Sequence, residues 1–326
     1  MSNTAFTNKY HLFTGEKLNG LELVLLLSNS VLDDVLPAVV FFASYSSLIF
    51  ILYNIWRIPI LIPDNNEAIA TVLLVFNIGL PALLVFRTNT AHQRFWEARK
   101  LWGKLVNAIR NLTRDICVVM REQSQQDRKD KEDILLLIVA FAMAMKLHLR
   151  GEQINDELLK FMTKEQYFQL KHSSEHPPLQ IALWIGNYLQ HEYNNKNIHV
   201  HQVVELHQLV DKLIDILGGC ERILKTPQPV IYTLMLHKLV IVYCLLLPFE
   251  IIDDCRGFTI VIVAFASVVL FGIEQIGAQL EQPFSYNVNA LPLDLICNTI
   301  SNNVQELIGQ VNCDRRSISY DRQSIK

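Results

Sequence analysis

Long uncharged runs constrain this chain more than any other feature. Residues Val35–Trp56 carry no charge over 22 positions, and residues Ala68–Phe86 carry none over 19. A helix needs about 20 predominantly apolar residues to cross the hydrocarbon of a bilayer. Both runs therefore predict transmembrane helices. The composition favours the same class, because 51% of the 326 residues are hydrophobic and only 12 are glycine.

Two further spans are predicted in the last third of the chain. Residues Val230–Phe249 are apolar apart from His237 and Lys238, and residues Gly257–Ile273 are uncharged and followed by Glu274. A charged pair inside a span is a candidate functional site. The alternative is a helix that begins below the membrane, with Lys238 reaching towards the headgroups. The sequence thus predicts four transmembrane helices.

The basic residues predict which side of the membrane each loop faces. The loop between the first two spans holds one basic residue, Arg57, and the loop between the last two holds Arg256. Seven basic residues follow the second span within 28 positions, namely Arg87, Arg94, Arg99, Lys100, Lys104, Arg110 and Arg114. By the positive-inside rule that side is cytoplasmic. We expect a multi-pass cell-membrane protein with both termini in the cytoplasm.

These spans divide the chain into five predicted segments. Two pairs of transmembrane helices alternate with polar stretches, and the central polar stretch is too long to be a mere connector. The segments are a cytosolic N-terminal segment (1–34), transmembrane helices one and two (35–94), a cytosolic helical region (95–228), transmembrane helices three and four (229–274) and a cytosolic C-terminal segment (275–326).

The 95–228 region contains two recognisable helices. Ile134–Leu149 is apolar but has only 16 residues and contains Lys146, so it predicts a core helix and not a fifth span. The charged stretch before it, Arg121–Asp133, is expected to be a linker. Apolar residues later recur at helical spacing and predict an amphipathic helix that ends at Gly218 and Gly219: Val203, Leu206, Leu209, Val210, Leu213 and Leu217.

The sequence gives no support to enzymatic chemistry. It contains no GxGxxG, GxxxxGK[ST], HExxH or GxSxG motif, and we expect no cofactor. The nearest approach to a metal cluster is His191, His199, His201 and His207, but histidines on a polar helix are more often solvated than ligating, so no metal site is expected. A net charge of -3 gives no indication of a nucleic-acid partner.

One face of the second span is a candidate pore lining. Ile78, Ala82 and Phe86 are spaced by four residues and share a helix face, which would form successive apolar rings if several copies surrounded an axis. Contact with lipid or with another helix is the alternative. Pro81 is tolerable in a membrane helix whose neighbours satisfy the freed carbonyl.

Five motifs carry a resemblance to a known family. The sequence FRTNTAHQRFWEARKLWGKLVN (Phe86–Asn107) resembles the bestrophin signature, in which a phenylalanine precedes an arginine by eight residues and an aromatic pair follows. Four later motifs are similar to the bacterial branch and occur in the expected order: GGCERILKTPQP (Gly218–Pro229), LLLPF (Leu245–Phe249), FGIEQIGAQLEQPF (Phe271–Phe284) and LPLD (Leu291–Asp294). The resemblance covers roughly residues 30 to 300.

The resemblance implies an all-α membrane protein that assembles as a homopentamer in the lipid bilayer. It implies a central pore for small monovalent ions, with four membrane helices per subunit and long helices that continue into a cytosolic vestibule. The family's hydrophobic neck maps onto Ile78, Ala82 and Phe86. Ala82 departs from the pattern, since a bulky apolar residue is usual there. A second, cytosolic constriction maps onto Val204 or a neighbour.

The resemblance also indicates that calcium does not gate this channel. Eukaryotic members bind calcium through an acidic cluster after the fourth helix. This chain has Tyr286, Asn287 and Ala290 where those members carry carboxylates. Calcium prefers several charged oxygen ligands, so we expect no strong calcium site here.

Ion selectivity depends on charges at the pore rims, because apolar rings do not select the sign of an ion. Arg87 and Arg94 at the inner end of the second span would attract anions. Asp253 and Asp254 in the outer loop would attract cations. The family favours an anion channel for chloride or other small anions. A monovalent cation (sodium) channel of the same fold is the alternative. A membrane transporter or scaffold is a third hypothesis, although no inverted repeat is visible.

Overall fold

The structure is a computed structural model and describes residues 31–56, 67–120, 124–173 and 175–323; side chains are described for 31–53, 71–120, 124–172 and 175–310. No strand occurs among the described residues. The α-helices that they form are α1 (Asp33–Trp56), α2 (Glu67–Val119), α3 (Gln125–Arg150), α4 (Lys164–Ser173), α5 (Pro177–Asn194), α6 (Val200–Lys225), α7 (Val230–Cys255), α8 (Thr259–Leu280) and α9 (Leu293–Gln323). Short 3-10 helices cover Asp156–Lys160 and Arg256–Phe258.

Each predicted span coincides with a helix. Three stretches of the described chain are long and apolar enough to cross a membrane: Asp33–Tyr53, Thr71–Val119 and Val230–Leu280. The last stretch contains two helices, α7 and α8, which pack against each other. The loop that contains Arg57 and the N-terminal residues 1–30 lie outside the described residues.

The chain divides into two compact units, and the first contains the apolar helices. It comprises residues up to Trp96 and Pro227–Ala290, and so includes α1, the first part of α2, α7 and α8. Helix α1 packs along α8 and α7. Phe42 of α1 stacks on Phe271 of α8 with ring centroids 5.6 Å apart. All four helices contribute buried residues to one apolar core.

The second unit is built around α3. It comprises Glu97–Thr226 and residues from Leu291 onwards. Helix α3 packs against α5, α6 and α9, and nearly every residue of Ile134–Leu149 is buried. The predicted core helix is therefore confirmed. The predicted amphipathic helix is also confirmed, because all six of its apolar residues are buried on α6.

The predicted linker Arg121–Asp133 is wrong over most of its length, since α3 already begins at Gln125. The side chain of Ser124 accepts the backbone N–H of Asp127, and the Asp127 carboxylate accepts that of Ser124. This capping box satisfies N–H groups at the helix start. The Lys131 ammonium donates to two backbone carbonyls at the end of α2. Local capping thus makes a charged segment helical.

The predicted helix end at Gly218 and Gly219 is also wrong. Helix α6 continues through both residues to Lys225. A Cβ atom at Gly219 would lie 3.1 Å from two methyl carbons of Leu101 on α2. This glycine therefore allows α2 and α6 to approach closely within the second unit, and it does not mark a turn.

Candidate functional site

Helix α2 has two contrasting faces in the first unit. Leu73, Leu80 and Leu84 are buried, and the last two belong to the apolar core of the unit. Other apolar residues of the same helix, including Val75, are exposed. Large uncovered apolar surfaces mark contacts with a membrane or with another protein chain.

The three predicted neck residues lie on the uncovered face of α2. Ile78 is 71% exposed and Phe86 is 66% exposed, and Ala82 between them is also exposed. Among the residues that the structure describes, no core side chain covers this stripe. It is available to lipid or to a second copy, and its pore-lining role stays a prediction.

Arg87 follows Phe86 directly but lies in a buried ion network. Its side chain is only 2% exposed. Arg87 Nη1 lies 3.4 Å from Glu274 Oε1, and Arg87 Nε lies 3.3 Å from Glu281 Oε1. His237 Nδ1 lies 3.0 Å from both carboxylate oxygens of Glu274. The network therefore connects α2, α7 and the C-terminal end of α8.

This network has a simple physical basis. A buried charge is very unfavourable unless opposite charges and hydrogen bonds compensate it. Glu274 and Glu281 are seven residues apart and share one face of α8 and its C-cap. The planar guanidinium of Arg87 presents donors in several directions, so it can bind both carboxylates at once. The three side chains fix how α2 and α8 pack.

Arg87 is one of the four predicted pore-rim charges, and the structure places its guanidinium between two carboxylates. The two carboxylates hold its charge within the first unit. Arg94 is half-buried, whereas Asp253 and Asp254 are exposed in the last turn of α7. The carboxylate of Asp253 accepts a hydrogen bond from the Tyr53 hydroxyl. The rim roles of all four residues stay predictions.

In the second unit, Val204 is 50% exposed on α6, and its role as a constriction stays a prediction.

The four histidines singled out from the sequence do not form a cluster. Within the described ranges, the one group that could hold a metal ion is His148, His176 and Glu221. Sequence spacing did not reveal this group, because its members come from α3, from the residue before α5 and from α6.

Both charged residues that flank the segment between α8 and α9 are already paired. Glu281 lies against Arg87. Asp294 binds Lys146 Nζ and Arg150 Nη2, each at 2.9 Å. Ala290 inside the segment is fully buried. These contacts leave few free carboxylate oxygens for a calcium ion.

Sequence reasoning missed the partners of Arg87, although a signal was present. Arg87 comes directly after the second predicted span, and Glu274 comes directly after the fourth. Both spans end on the same predicted side of the membrane. Opposite charges at the same depth on neighbouring helices indicate an ion pair.

The described residues form an all-α protein, and its long apolar helices expose apolar surfaces of the kind that contact a membrane. Comparison with known proteins agrees with this class. A family model described as bacterial/fungal bestrophin protein matches residues 13–306. A single-residue variant of a bacterial bestrophin homologue from Klebsiella pneumoniae has a similar crystal structure, with a TM-score of 0.76 and 27% identity. The match covers 84% of this chain and 99% of that one.

Relatives in bacteria extend the comparison. The chain is 44% identical over 294 residues to a voltage-dependent anion channel-forming protein of Nostoc sp., covering 90% of this chain and 93% of the relative. It is 46% identical over 253 residues to a protein of the same description in Synechocystis sp., covering 78% and 80%. The chain belongs to the bacterial/fungal bestrophin family.

Proposed function

We propose that this chain is the subunit of a homopentameric channel that conducts chloride or other small anions passively across a cell membrane. The observation that carries the proposal is the uncovered apolar stripe Ile78, Ala82 and Phe86 on α2. A stripe on one helix encloses a pore only when symmetric copies surround an axis. Rings of apolar side chains can then gate the pore by dewetting. The relatives described as anion channel-forming proteins support the choice of ion.

The proposed membrane arrangement has four spans per subunit: α1, the first part of α2, α7 and α8. Residues 1–34, 95–228 and 275–326 lie in the cytoplasm. The unit borders at 96/97 and 226/227 support the limits of the central region, because each falls within two residues of the predicted limit, whereas the third unit border, at 290/291, lies 16 residues beyond the predicted 274/275. Val204 forms a second constriction on the cytosolic side, and calcium does not gate the channel.

Purified protein in planar bilayers under an asymmetric KCl gradient tests the ion selectivity. The expected reversal potential lies close to the chloride equilibrium potential. A reversal potential close to the potassium equilibrium potential would overturn anion selectivity.

Mass measurement in detergent tests the number of subunits. It is expected to give five, and a stable monomer or dimer would contradict the pore geometry.

A monovalent cation channel of the same fold is the second candidate. One observation favours it: the buried charge of Arg87 is held between the carboxylates of buried Glu274 and half-buried Glu281 and is not free to attract anions, whereas Asp253 and Asp254 are exposed. The same bilayer measurement in a NaCl gradient distinguishes the two candidates by the sign of the reversal potential.

A further inference from the structure

Three side chains of the second unit converge from three places in the chain. His148 lies near the end of α3, His176 directly precedes α5 and Glu221 lies on α6. Glu221 Oε1 is 2.7 Å from His148 Nε2 and 2.6 Å from His176 Nε2. The two imidazole rings are 4.4 Å apart between centroids. One potential ligand atom from each residue lies within 4.8 Å of the others.

We propose that His148, His176 and Glu221 form a binding site for a divalent transition-metal ion, with Zn²⁺ as the best chemical match. Two imidazole nitrogens and one carboxylate oxygen are a ligand set that zinc and related ions accept, and three protein ligands leave a fourth position for water. All three side chains are half-buried, so an ion can enter from solvent and is still enclosed by the fold. This site departs from our expectation that the chain binds no metal.

Neighbouring side chains orient the Glu221 carboxylate so that it can bind a metal ion. Lys225 Nζ donates to its other oxygen, Oε2, at 3.2 Å, which leaves Oε1 to face the two imidazoles. Partners of this kind orient a ligating group. Partial burial by itself would raise the pKa of the Glu221 carboxyl, but hydrogen bonds from His148, His176 and Lys225 outweigh it and lower this pKa to about 2. Lys225 thus helps to hold the Glu221 carboxylate towards the two imidazoles.

Metal binding requires a small rearrangement of the three ligand atoms. Zinc bonds of about 2.0–2.2 Å in a tetrahedral arrangement separate neighbouring ligand atoms by roughly 3.3 Å. The present N···O distances of 2.6 and 2.7 Å are hydrogen-bond distances. The ion would therefore replace the imidazole protons and move these atoms apart by roughly 0.6 Å, which side-chain rotation can supply.

Coordination also changes how α5 begins. His176 Nδ1 accepts the backbone N–H of Leu179 at 3.4 Å, and Pro177 and Pro178 have no N–H to satisfy. A metal on Nε2 places the imidazole proton on Nδ1, so this long hydrogen bond is given up. Leu179 is exposed, so water can satisfy its N–H. The weak hydrogen bond from Leu179 that caps α5 is thus replaced by a bond between His176 and the metal ion.

Calorimetric titration of ZnCl2 into the chelator-treated full-length protein in detergent tests the site. We expect one ion per subunit and a higher melting temperature, because a ligand that binds only the folded state stabilises it. Glu221→Gln and His148→Ala are expected to weaken zinc binding at least tenfold. The matched control is His201→Ala, which removes an exposed histidine from α6 and should leave binding unchanged.

If a variant fails to fold, as judged by circular dichroism and gel filtration, locating the ion directly in a crystal decides whether the site exists. Crystals of the unmodified protein soaked in ZnCl2 should show an anomalous peak between His148, His176 and Glu221 at the zinc absorption edge. No peak there at saturating zinc, or zinc binding that Glu221→Gln leaves unchanged, would overturn the site. Neither measurement depends on channel activity, so a failure here is distinct from a failure of the proposed function.

Discussion

Phe86 and Arg87 are neighbours in the sequence, yet the first is exposed and the second is buried. Consecutive side chains on a helix differ in direction by about 100°. That rotation places Phe86 on the uncovered stripe of α2 and Arg87 against Glu274 and Glu281. Adjacent substitutions should therefore have different effects, on conduction at one position and on stability at the next.

Phe86→Ala is expected to raise single-channel conductance or remove rectification. A smaller ring at the inner end of the proposed neck wets more easily. Val85→Ala is the matched control, because Val85 is equally exposed but points about 100° away around the helix. Single-channel recording in planar bilayers is the measurement. Currents that change equally in both variants would count against Phe86 as a pore residue.

Arg87→Gln is expected to destabilise the protein by about 3–5 kcal/mol, because removing one partner leaves uncompensated buried charge. Thermal unfolding in detergent measures the loss. Arg99→Gln, a change at an exposed position, is the control. Combining Arg87→Gln with Glu274→Gln should recover part of the stability. A single variant as stable as the unmodified protein would show that the network is not structural.

At the scale of elements, α9 is joined to α3 by an ion cluster. Asp294 at the start of α9 binds Lys146 and Arg150 of α3, and Lys146 also lies 3.5 Å from Glu157. Burial would raise the pKa of Asp294, but the hydrogen bonds from Arg150 and Lys146 lower it below its ordinary value. The ionised form is therefore the one that holds these two helices together.

The lowered pKa of Asp294 predicts how stability depends on pH. Its contribution is present above the ordinary value of 3.8 and is lost as the pH falls through the lower folded-state value. Asp294→Asn should cost about 1.5–3 kcal/mol at neutral pH and flatten the decline in melting temperature on acidification. Melting curves across the acidic range measure this, with exposed Asp215→Asn as the control. An unchanged pH profile would contradict the prediction.

The existence of the helices was predictable because each leaves a periodic or uncharged pattern. Val35–Trp56 and Ile134–Leu149 are examples. Helix limits were less predictable, because Ser124 and Lys131 form capping hydrogen bonds that hydropathy does not show. The least predictable feature was which charged side chains form ion pairs with each other. Arg87 and Glu274 are 187 residues apart, and only the folded chain brings them together.

At the scale of the whole molecule, calcium at micromolar concentration should neither open the channel nor raise its melting temperature. Glu281 and Asp294 are held by Arg87, Lys146 and Arg150. Sensor sites that respond at about 10⁻⁷–10⁻⁵ M need several free carboxylates. Calcium titration against a chelator buffer on the cytosolic side of reconstituted protein is the measurement, with magnesium as the control ion. Activation by micromolar calcium would reveal an acidic cluster elsewhere.

The long sequence separation within the Arg87 network has a consequence for biosynthesis. At about 5–20 residues per second, a ribosome completes Glu274 roughly 10–40 s after Arg87. The first unit combines residues up to Trp96 with Pro227–Ala290, so it cannot close until the second of these stretches has been synthesised. During that interval the arginine needs water, lipid headgroups or a chaperone as its temporary partner. Nascent chains truncated before α8 should therefore be substrates for quality-control proteolysis.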